Sequence, residues 1–568
     1  MKKKDLRSKE WFDNPKDPGL TALYLERYLN YGLKREDLQS GKPIIGIAQS
    51  GSDLSPCNRH FQALSNVIKD GIREAGGVPM EFPTHPIQET GKRPTAGLDR
   101  NLSYLSLVEV LYGYPIDGVI LTTGCDKTTP AALMAAATVN IPSIVLSGGP
   151  MLDGTYKGKK AGSGTIIWEA RRLHAKGEIS YEEFMDMAAA SAPSIGHCNT
   201  MGTASSMNSI AEALGMSLTG GAIIPAPYKE RESISFKTGK RIVEMVHENL
   251  TPSKIMTKKA FENAIYVASA IGASSNCPPH LTAIARHMGI DFGIDNWEKL
   301  GHDIPLLVNC QPAGEYLMEG FFKAGGIPAI MQELMKNNKL HKDLMTVTGK
   351  TIAENLIEKI DIDENIIKSF KNPLVNNAGF IVMKSNFFNS AVMKTSVISS
   401  EFRKRYLSNP TSLNLFEANA VVFEGPEDYH LRINDESLNI DENSILMIRG
   451  CGPVGYPGSA EVVNMQPPDK LLKQGINTLP TLGDGRQSGT SESPSILNVS
   501  PESAIGGSLL IVETGDKIKI DLNNSRIDLM ISSEEIEKRR KKVKIPKLKN
   551  QTPWQEISRK MVGQLETG

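Results

Sequence analysis

Thr122-Thr123-Gly124-Cys125-Asp126-Lys127-Thr128-Thr129-Pro130 is the stretch on which the rest of the chain turns. Ahead of it runs Asp117-Gly118-Val119-Ile120-Leu121, a short apolar segment that reads as a buried strand. Behind it, Ala131 to Ala137 opens an alanine-rich helix, with Pro130 near the first helical position, where its missing N–H costs nothing. A thiol, a carboxylate and an amine thus stand together at the carboxyl end of a strand and the mouth of a helix. Open α/β sheets bind their ligands there. Cysteine is a soft metal ligand and aspartate a hard one, so the pair points to two different metal centres facing one cavity. The plain alternative makes Cys125 a small core residue.

Outward from this junction, strands and helices alternate. Pro43-Ile44-Ile45-Gly46-Ile47-Ala48 reads as a first strand and Val78 to Phe82 as a second. Between them Phe61, Leu64, Val67, Ile68 and Ile72 recur at helical spacing before Gly76-Gly77. A helix around Leu102 to Leu111 and a strand at Ile144 to Leu146 flank the central junction. The pattern predicts βαβ units and a mainly parallel sheet. Loops at the apparent strand ends carry Cys57 (in Gly51 to Asn58) and Glu89 (in Thr84 to Pro94). Cys198 lies in Ser194 to Thr203, just ahead of a helix from about Ala204 to Leu214, where a thiolate is electrostatically favoured. The glycine- and lysine-rich segment Met151 to Gly164 reads as a surface loop, because Gly162-Ser163-Gly164 lacks the flanks of a phosphate loop.

From about Lys371 the apolar runs shorten: Gly379 to Met383, Ala420 to Phe423, His430 to Ile433, Ser444 to Ile448, Ser508 to Val512 and Asp516 to Leu522. Turn residues separate them, which predicts a β-rich domain, a barrel or closed sandwich. Inside it, Gly450 to Glu461 and Gly483 to Ser491 are glycine-dense loops, either tight turns or ligand cradles. The expected organisation is an arm and leading helix over 1–42, an α/β domain over 43–370, a β-barrel-like domain over 371–545 and a tail helix over 546–568. The active site is expected between the two large domains.

Composition narrows the function. Lys+Arg 64 balance Asp+Glu 64, which argues against nucleic acid as a partner. The start Met1-Lys2-Lys3-Lys4 is not followed by an apolar stretch, so no signal peptide is expected, and Ala131 to Leu152 is broken by Asn140, Pro142, Gly148 and Pro150, so no membrane span is expected. The six cysteines are far apart in 568 residues, which suits a reducing cytoplasm rather than a disulfide framework. No Cys-x-x-Cys or His-Glu-x-x-His occurs. Three converging thiolates, Cys57, Cys125 and Cys198, suit an iron–sulfur cluster with one ligand position open, and an open iron is a Lewis acid. Glu89, Asp126 and Glu461 suit Mg²⁺. Cys277, Cys310 and Cys451 are equally available as the special thiols.

On Leu54-Ser55-Pro56-Cys57-Asn58, Thr123 to Pro130, Gly196 to Ala204 and the two glycine-dense loops, the chain resembles one dehydratase family. That family contains the dihydroxy-acid, phosphogluconate and aldonic (sugar) acid dehydratases, and the resemblance runs from about Gly41 to the carboxyl end. It implies a cluster, two-iron (2Fe-2S) rather than four-iron, on Cys57, Cys125 and Cys198. It implies Mg²⁺ on Glu89, Asp126, a carbamylated Lys127 and Glu461, with Ser488 as the base. The implied reaction is a hydro-lyase step: Ser488 takes the C2 proton, the C3 hydroxyl leaves at the open iron, and a 2-keto-3-deoxy acid results. A homodimer or homotetramer is implied as well. Thr84 to Thr95, Gly483 to Ser491 and Trp554 to Gly568 look like the sugar-acid branch. The branched-chain amino-acid enzyme tends to have aspartate at the position of Glu89 and phenylalanine at that of Gln487. Gln487 and Thr490 are therefore read as pocket residues for a pentonate or hexonate. The alternative substrate is 2,3-dihydroxyisovalerate. Gly272 to Cys277 and Asn386-Phe387-Phe388 depart from the family's usual pattern.

Overall fold

The computed structural model describes residues 6–30, 32–89, 91–92 and 94–568. Thr90 and Arg93 of the Glu89 loop lie outside them. The first sheet holds β1 (Ile44–Gln49), β2 (Val78–Pro83), β3 (Gly118–Thr123) and β4 (Ser143–Ser147), all parallel, in the order β2-β1-β3-β4. Strands β1, β3 and β4 are buried along their whole length, as a parallel sheet covered by helices requires. The helices used below are α1 (Phe61–Glu74), α2 (Gly97–Gly113), α3 (Thr128–Val139), α4 (Thr203–Ala213) and α5 (Cys277–His287). Helix α1 buries Phe61, Leu64, Ile68 and Ile72, the stripe its spacing predicted, while Val67 stays half-buried. Helix α3 is buried from Thr128 to Ala137 and ends on Asn140 in the left-handed conformation. Because β1, β2 and β3 run the same way, their carboxyl ends share one edge of the sheet. The loops bearing Cys57, Glu89 and Cys125 to Lys127 all leave from that edge.

The second domain is one eight-stranded sheet. It comprises β5 (Phe380–Met383), β6 (Ser390–Lys394), β7 (Leu415–Phe423), β8 (Ser444–Ile448), β9 (Thr481–Gly483), β10 (Ile496–Ser500), β11 (Lys517–Asp521) and β12 (Arg526–Leu529). The order is β12-β11-β7-β8-β9-β10-β6-β5. Strands β7 to β10 pair in parallel and the outer strands antiparallel. Beyond β5, Lys384 bridges to Arg526 of β12, with Lys384 N–H donating to Ser525 O at 2.9 Å and Ile527 N–H to Lys384 O at 3.0 Å. The two edges therefore meet and the sheet is nearly closed, which protects strand edges that would otherwise pair with other chains. Ala418, Ala420, Val422, Ile445 and Met447 face one core, while Val421, Phe423, Leu446 and Ile448 face another. Burial on both faces is why these strands read as continuous apolar runs.

Two expected strands are helical. His430 to Arg432 ends the helix Pro426–Arg432, and Ser508–Ile511 is a 3₁₀ turn. Short apolar runs do not discriminate strand from helix. The deciding features lie upstream: Gly425 and Pro426 open the first of these helices, Glu427 and Asp428 fill its first turn, and Arg432 pairs back to Asp428 at 2.6 Å. No helix among the described residues is long and apolar enough to cross a membrane.

Candidate active site

The loop Gly450 to Glu461 reaches the first domain where Gly458 abuts Gly97 at the start of α2. A Cβ on Gly97 would lie 2.1 Å from Gly458 O, so only glycine permits this approach. Buried carboxylates fix the loop from behind. Asp484 accepts the N–H groups of Gly450, Cys451 and Ser503, and Glu502 those of Val454 and Gly455. Glu461 is thereby delivered to the edge of the parallel sheet.

Glu89, Asp126 and Glu461 converge there, each offering an oxygen within 4.8 Å of the others. Lys127 Nζ lies 2.7 Å from Glu89 Oε2, 2.9 Å from Asp126 Oδ2 and 3.9 Å from Glu461 Oε1. Arg486 reaches Glu461 Oε1 at 3.0 Å and Glu89 Oε1 at 3.6 Å. Asn276, at the start of α5, donates to Glu461 Oε1 at 2.5 Å, Thr203 Oγ1 at 3.0 Å and Gln487 O at 3.3 Å. Burial, then the charge of Glu89, pushes the Glu461 carboxyl up to about 8. Burial alone would lower Lys127, but Asp126 and Glu89 outweigh it and hold the ammonium above the usual lysine value. Burial would likewise raise Asp126, and the Lys127 charge reverses that. Three hard oxygen donors facing one point suit a divalent cation such as Mg²⁺.

The thiols form the adjoining wall. Asn58 Oδ1 accepts from Cys125 N–H at 3.0 Å, which ties the Cys57 turn to the Cys125 turn. Cys125 Sγ donates to Asp126 Oδ1 at 3.1 Å, so the sulfur and carboxylate groups share a border. A hydrogen bond from the Cys125 thiol lowers Cys57 and raises Cys125 itself. Burial and the charge of Cys57 push Cys198 up to about 12. All six cysteines are unpaired. Cys310 and Cys451 point instead at the backbone carbonyls of Leu317 and Arg449, each at 3.7 Å, and Cys277 lies buried behind Asn276. The structure thus gathers Cys57, Cys125 and Cys198 and leaves the other three in the packing. Three soft donors beside the carboxylates fit an iron–sulfur cluster.

Ser488 Oγ shares a 2.9 Å hydrogen bond with Thr490 Oγ1 and accepts from Thr490 N–H at 3.3 Å. Trp168 Nε1 donates to Thr490 Oγ1 at 3.1 Å. An indole only donates, so the Thr490 hydroxyl proton is free to point at Ser488. Two donors then favour the deprotonated serine. Beside it, Gln487 is 1% exposed, and its Oε1, like Asn276 Oδ1, is buried without a partner. Such acceptors cost roughly 1–3 kcal/mol each until a donor arrives. A hydroxylated ligand supplies donors.

Gly162 to Gly164, expected at the surface, instead packs into the site. Ser163 N–H donates to Asn199 Oδ1 at 2.8 Å and Thr200 Oγ1 to Ser163 O at 3.1 Å. A Cβ on Gly164 would lie 2.4 Å from Thr490 Oγ1. Residue size, rather than phosphate binding, explains these glycines. Asn276, Arg486 and Trp168 were not singled out from the sequence as site residues. Asn276 stands in the departing Gly272 to Cys277 segment and Arg486 next to Gln487; nothing local marks Trp168.

Gly489 carries a direct expectation. A Cβ there would lie 2.5 Å from Thr203 N and 2.7 Å from Ser274 Oγ. Gly489→Ala is expected to push the Ser488 loop off α4 and reduce turnover on the order of 10²-fold, the size of effect a small misplacement produces. Steady-state turnover with a melting curve checks this; wild-type turnover would show that the loop tolerates the shift.

Residues 42–355 match the family described as dihydroxy-acid/6-phosphogluconate dehydratase N-terminal, and residues 365–568 its C-terminal counterpart. The chain is 61% identical over 563 residues to the D-xylonate dehydratase of Caulobacter vibrioides, covering 99% of this chain and 94% of that protein. It is 44% identical over 545 residues to the L-arabinonate dehydratase of Rhizobium leguminosarum bv. trifolii, covering 95% and 92%. It is 42% identical over 536 residues to the L-arabonate dehydratase of Azospirillum brasilense, covering 94% and 90%.

Proposed function

The chain belongs to the dihydroxy-acid/6-phosphogluconate dehydratase family and is a hydro-lyase, and from that premise we propose that it dehydrates a sugar acid, a pentonate of the D-xylonate kind first, to the 2-keto-3-deoxy acid. The observation that carries the substrate class is Gln487, buried beside Ser488 with its amide oxygen unpaired. A polyol chain satisfies that oxygen, whereas the alkyl chain of 2,3-dihydroxyisovalerate leaves it stranded. The identity to D-xylonate and L-arabinonate dehydratases supports the same class.

Glu89, Asp126, Glu461 and Lys127 as its carbamate would hold Mg²⁺, and Cys57, Cys125 and Cys198 would hold the cluster, taken as 2Fe-2S. When bound, these supply Lewis acidity at the substrate's carboxylate and C2 hydroxyl and at its C3 hydroxyl. The protein's own groups do the rest. Ser488 Oγ receives the C2 proton, with Thr490 donating to it so that the alkoxide is accessible. Asn276 fixes the Glu461 carboxylate. Arg486 spans Glu89 and Glu461 and limits their mutual repulsion. Elimination across C2–C3 gives an enol that tautomerises to the keto acid without redox change. The unpaired cysteines support a cytoplasmic setting, and the family resemblance supports a homodimer or homotetramer.

The test is keto-acid formation by anaerobically purified, iron-reconstituted protein with Mg²⁺ on xylonate, arabinonate, fuconate, galactonate, gluconate and 2,3-dihydroxyisovalerate. One or two sugar acids are expected to exceed dihydroxyisovalerate by about 10²-fold or more in kcat/KM. The reverse order overturns the substrate reading. Gln487→Phe is expected to erase most of that preference by lowering kcat/KM on the sugar acid; an unchanged ratio in the same assay removes Gln487 from the pocket.

A further inference from the structure

Behind Lys127 lies a cavity of about 40 Å³, walled by Arg100 of α2, His280 of α5, Arg486 and the carboxyl-terminal segment including Gln564. By the space a water needs, it admits about three to four small atoms. Arg100 is 9% exposed, and its guanidinium donates only to neutral groups, His280 Nδ1 at 3.0 Å and Asn101 Oδ1 at 3.0 Å. No carboxylate among the described residues pairs with it; the nearby charge that bears on it is the like charge of Arg486. A buried cation without a counter-ion is costly. His280 sharpens the requirement. A guanidinium has no acceptor, so Nδ1 must accept from Arg100, and the neutral ring then carries its proton on Nε2. That N–H is buried and has no partner. Arg100 and His280 Nε2 thus leave donors unanswered at this wall, which Lys127 shares and which Ser459 and the carboxyl-terminal Gly568 complete.

We propose that this cavity binds bicarbonate, on Arg100 and His280 Nε2, and loads Lys127 with the carbon of its carbamate. A planar four-atom oxyanion matches the size and can accept from both the Arg100 guanidinium and His280 Nε2. The loading half rests on the reading of Lys127 as a carbamate. The step balances: the amine nitrogen bonds to the bicarbonate carbon, one C–O bond breaks, and water leaves. If Lys127 starts as an ammonium, one further proton passes to bulk solvent.

The experiment uses the full-length holoprotein stripped of carbon dioxide. Crystals soaked in bicarbonate are expected to show planar density on Arg100 and His280 Nε2; water alone in the cavity overturns the site. In parallel, ¹³C NMR follows label from [¹³C]bicarbonate onto Lys127. Arg100→Met is expected to need at least tenfold more bicarbonate for half-labelling, with the cluster spectrum unchanged, and Arg100→Lys to recover most of the loss. Equal labelling of wild type and Arg100→Met overturns the loading route. Density in the cavity with Lys127 unlabelled overturns the carbamate reading and the loading step together, and leaves the binding site standing.

Discussion

Ser488→Ala is expected to lower turnover of the sugar acid by about 10³-fold, within the range for removing a positioned general base, while the visible spectrum of the cluster and the metal content stay at wild-type levels. The separation follows from the geometry. The Ser488 hydroxyl is hydrogen-bonded to the side chain and N–H of Thr490 rather than to Cys57, Cys125, Cys198 or the three carboxylates. Losing one hydroxyl costs about 1 kcal/mol of hydrogen bonding, so the melting temperature moves little. Thr490→Val is expected to fall between the two, because it removes the hydroxyl donor to Ser488 but keeps the N–H. Single-turnover measurements with saturating substrate separate this chemistry from binding. Turnover of Ser488→Ala within tenfold of wild type would transfer the proton abstraction to another group.

The sheet edge that organises the site was legible because its signal is local. A buried strand, a glycine, then Cys125-Asp126-Lys127 and a helix start lie within one short stretch, and the parallel direction of β1, β2 and β3 follows from the alternation of strands and helices. The same alternation placed Cys57 and Glu89 on that edge. Glu461 and Ser488 are different. They arrive from the second domain, and what brings them to Asp126 is domain packing through Gly97 against Gly458 and Gly489 against Thr203. No periodicity encodes that: Glu461 reads as a Mg²⁺ candidate only by residue type and loop, and the role of Ser488 rests on resemblance to a family. Asn276 and Arg486 escaped for the same reason, since their meaning lies in a hydrogen bond and an ion pair to Glu461, distant in sequence. The helix at Pro426–Arg432 reads as a strand for the opposite reason: its apolar tail is short and ambiguous, and its helix signals lie upstream in Gly425 to Asp428. Among the near-closed sheet's features, the Lys384 to Arg526 bridge has no sequence signature at all.

Lys127→Met and Lys127→Arg are both expected to abolish turnover, by about 10³-fold or more, although the second preserves the charge. Charge alone argues the point. Lys127 sits within 2.7–2.9 Å of Glu89 and Asp126, the oxygens a divalent cation needs, and as an ammonium it competes with that cation for them. As a carbamate, Lys127 would carry an anion in place of the cation and would be a ligand rather than a competitor. Arginine keeps the competing charge and cannot form the carbamate; methionine removes the charge and supplies no hard oxygen. Both are expected to weaken Mg²⁺ binding, read by titration of the metal-free protein. The pH dependence has a fixed sign. Forming the carbamate from an ammonium releases protons, and metal binding to it draws the equilibrium further. Acidification therefore returns Lys127 to the ammonium that Asp126 and Glu89 already favour. Activity is expected to fall toward acid pH, and added bicarbonate with Mg²⁺ is expected to move that fall to lower pH in wild type, whereas neither addition restores turnover to Lys127→Met. If Lys127→Arg turned over sugar acid at the wild-type rate, Lys127 would be a structural counter-ion to Glu89 and Asp126, and the metal would have to be held by the three carboxylates alone.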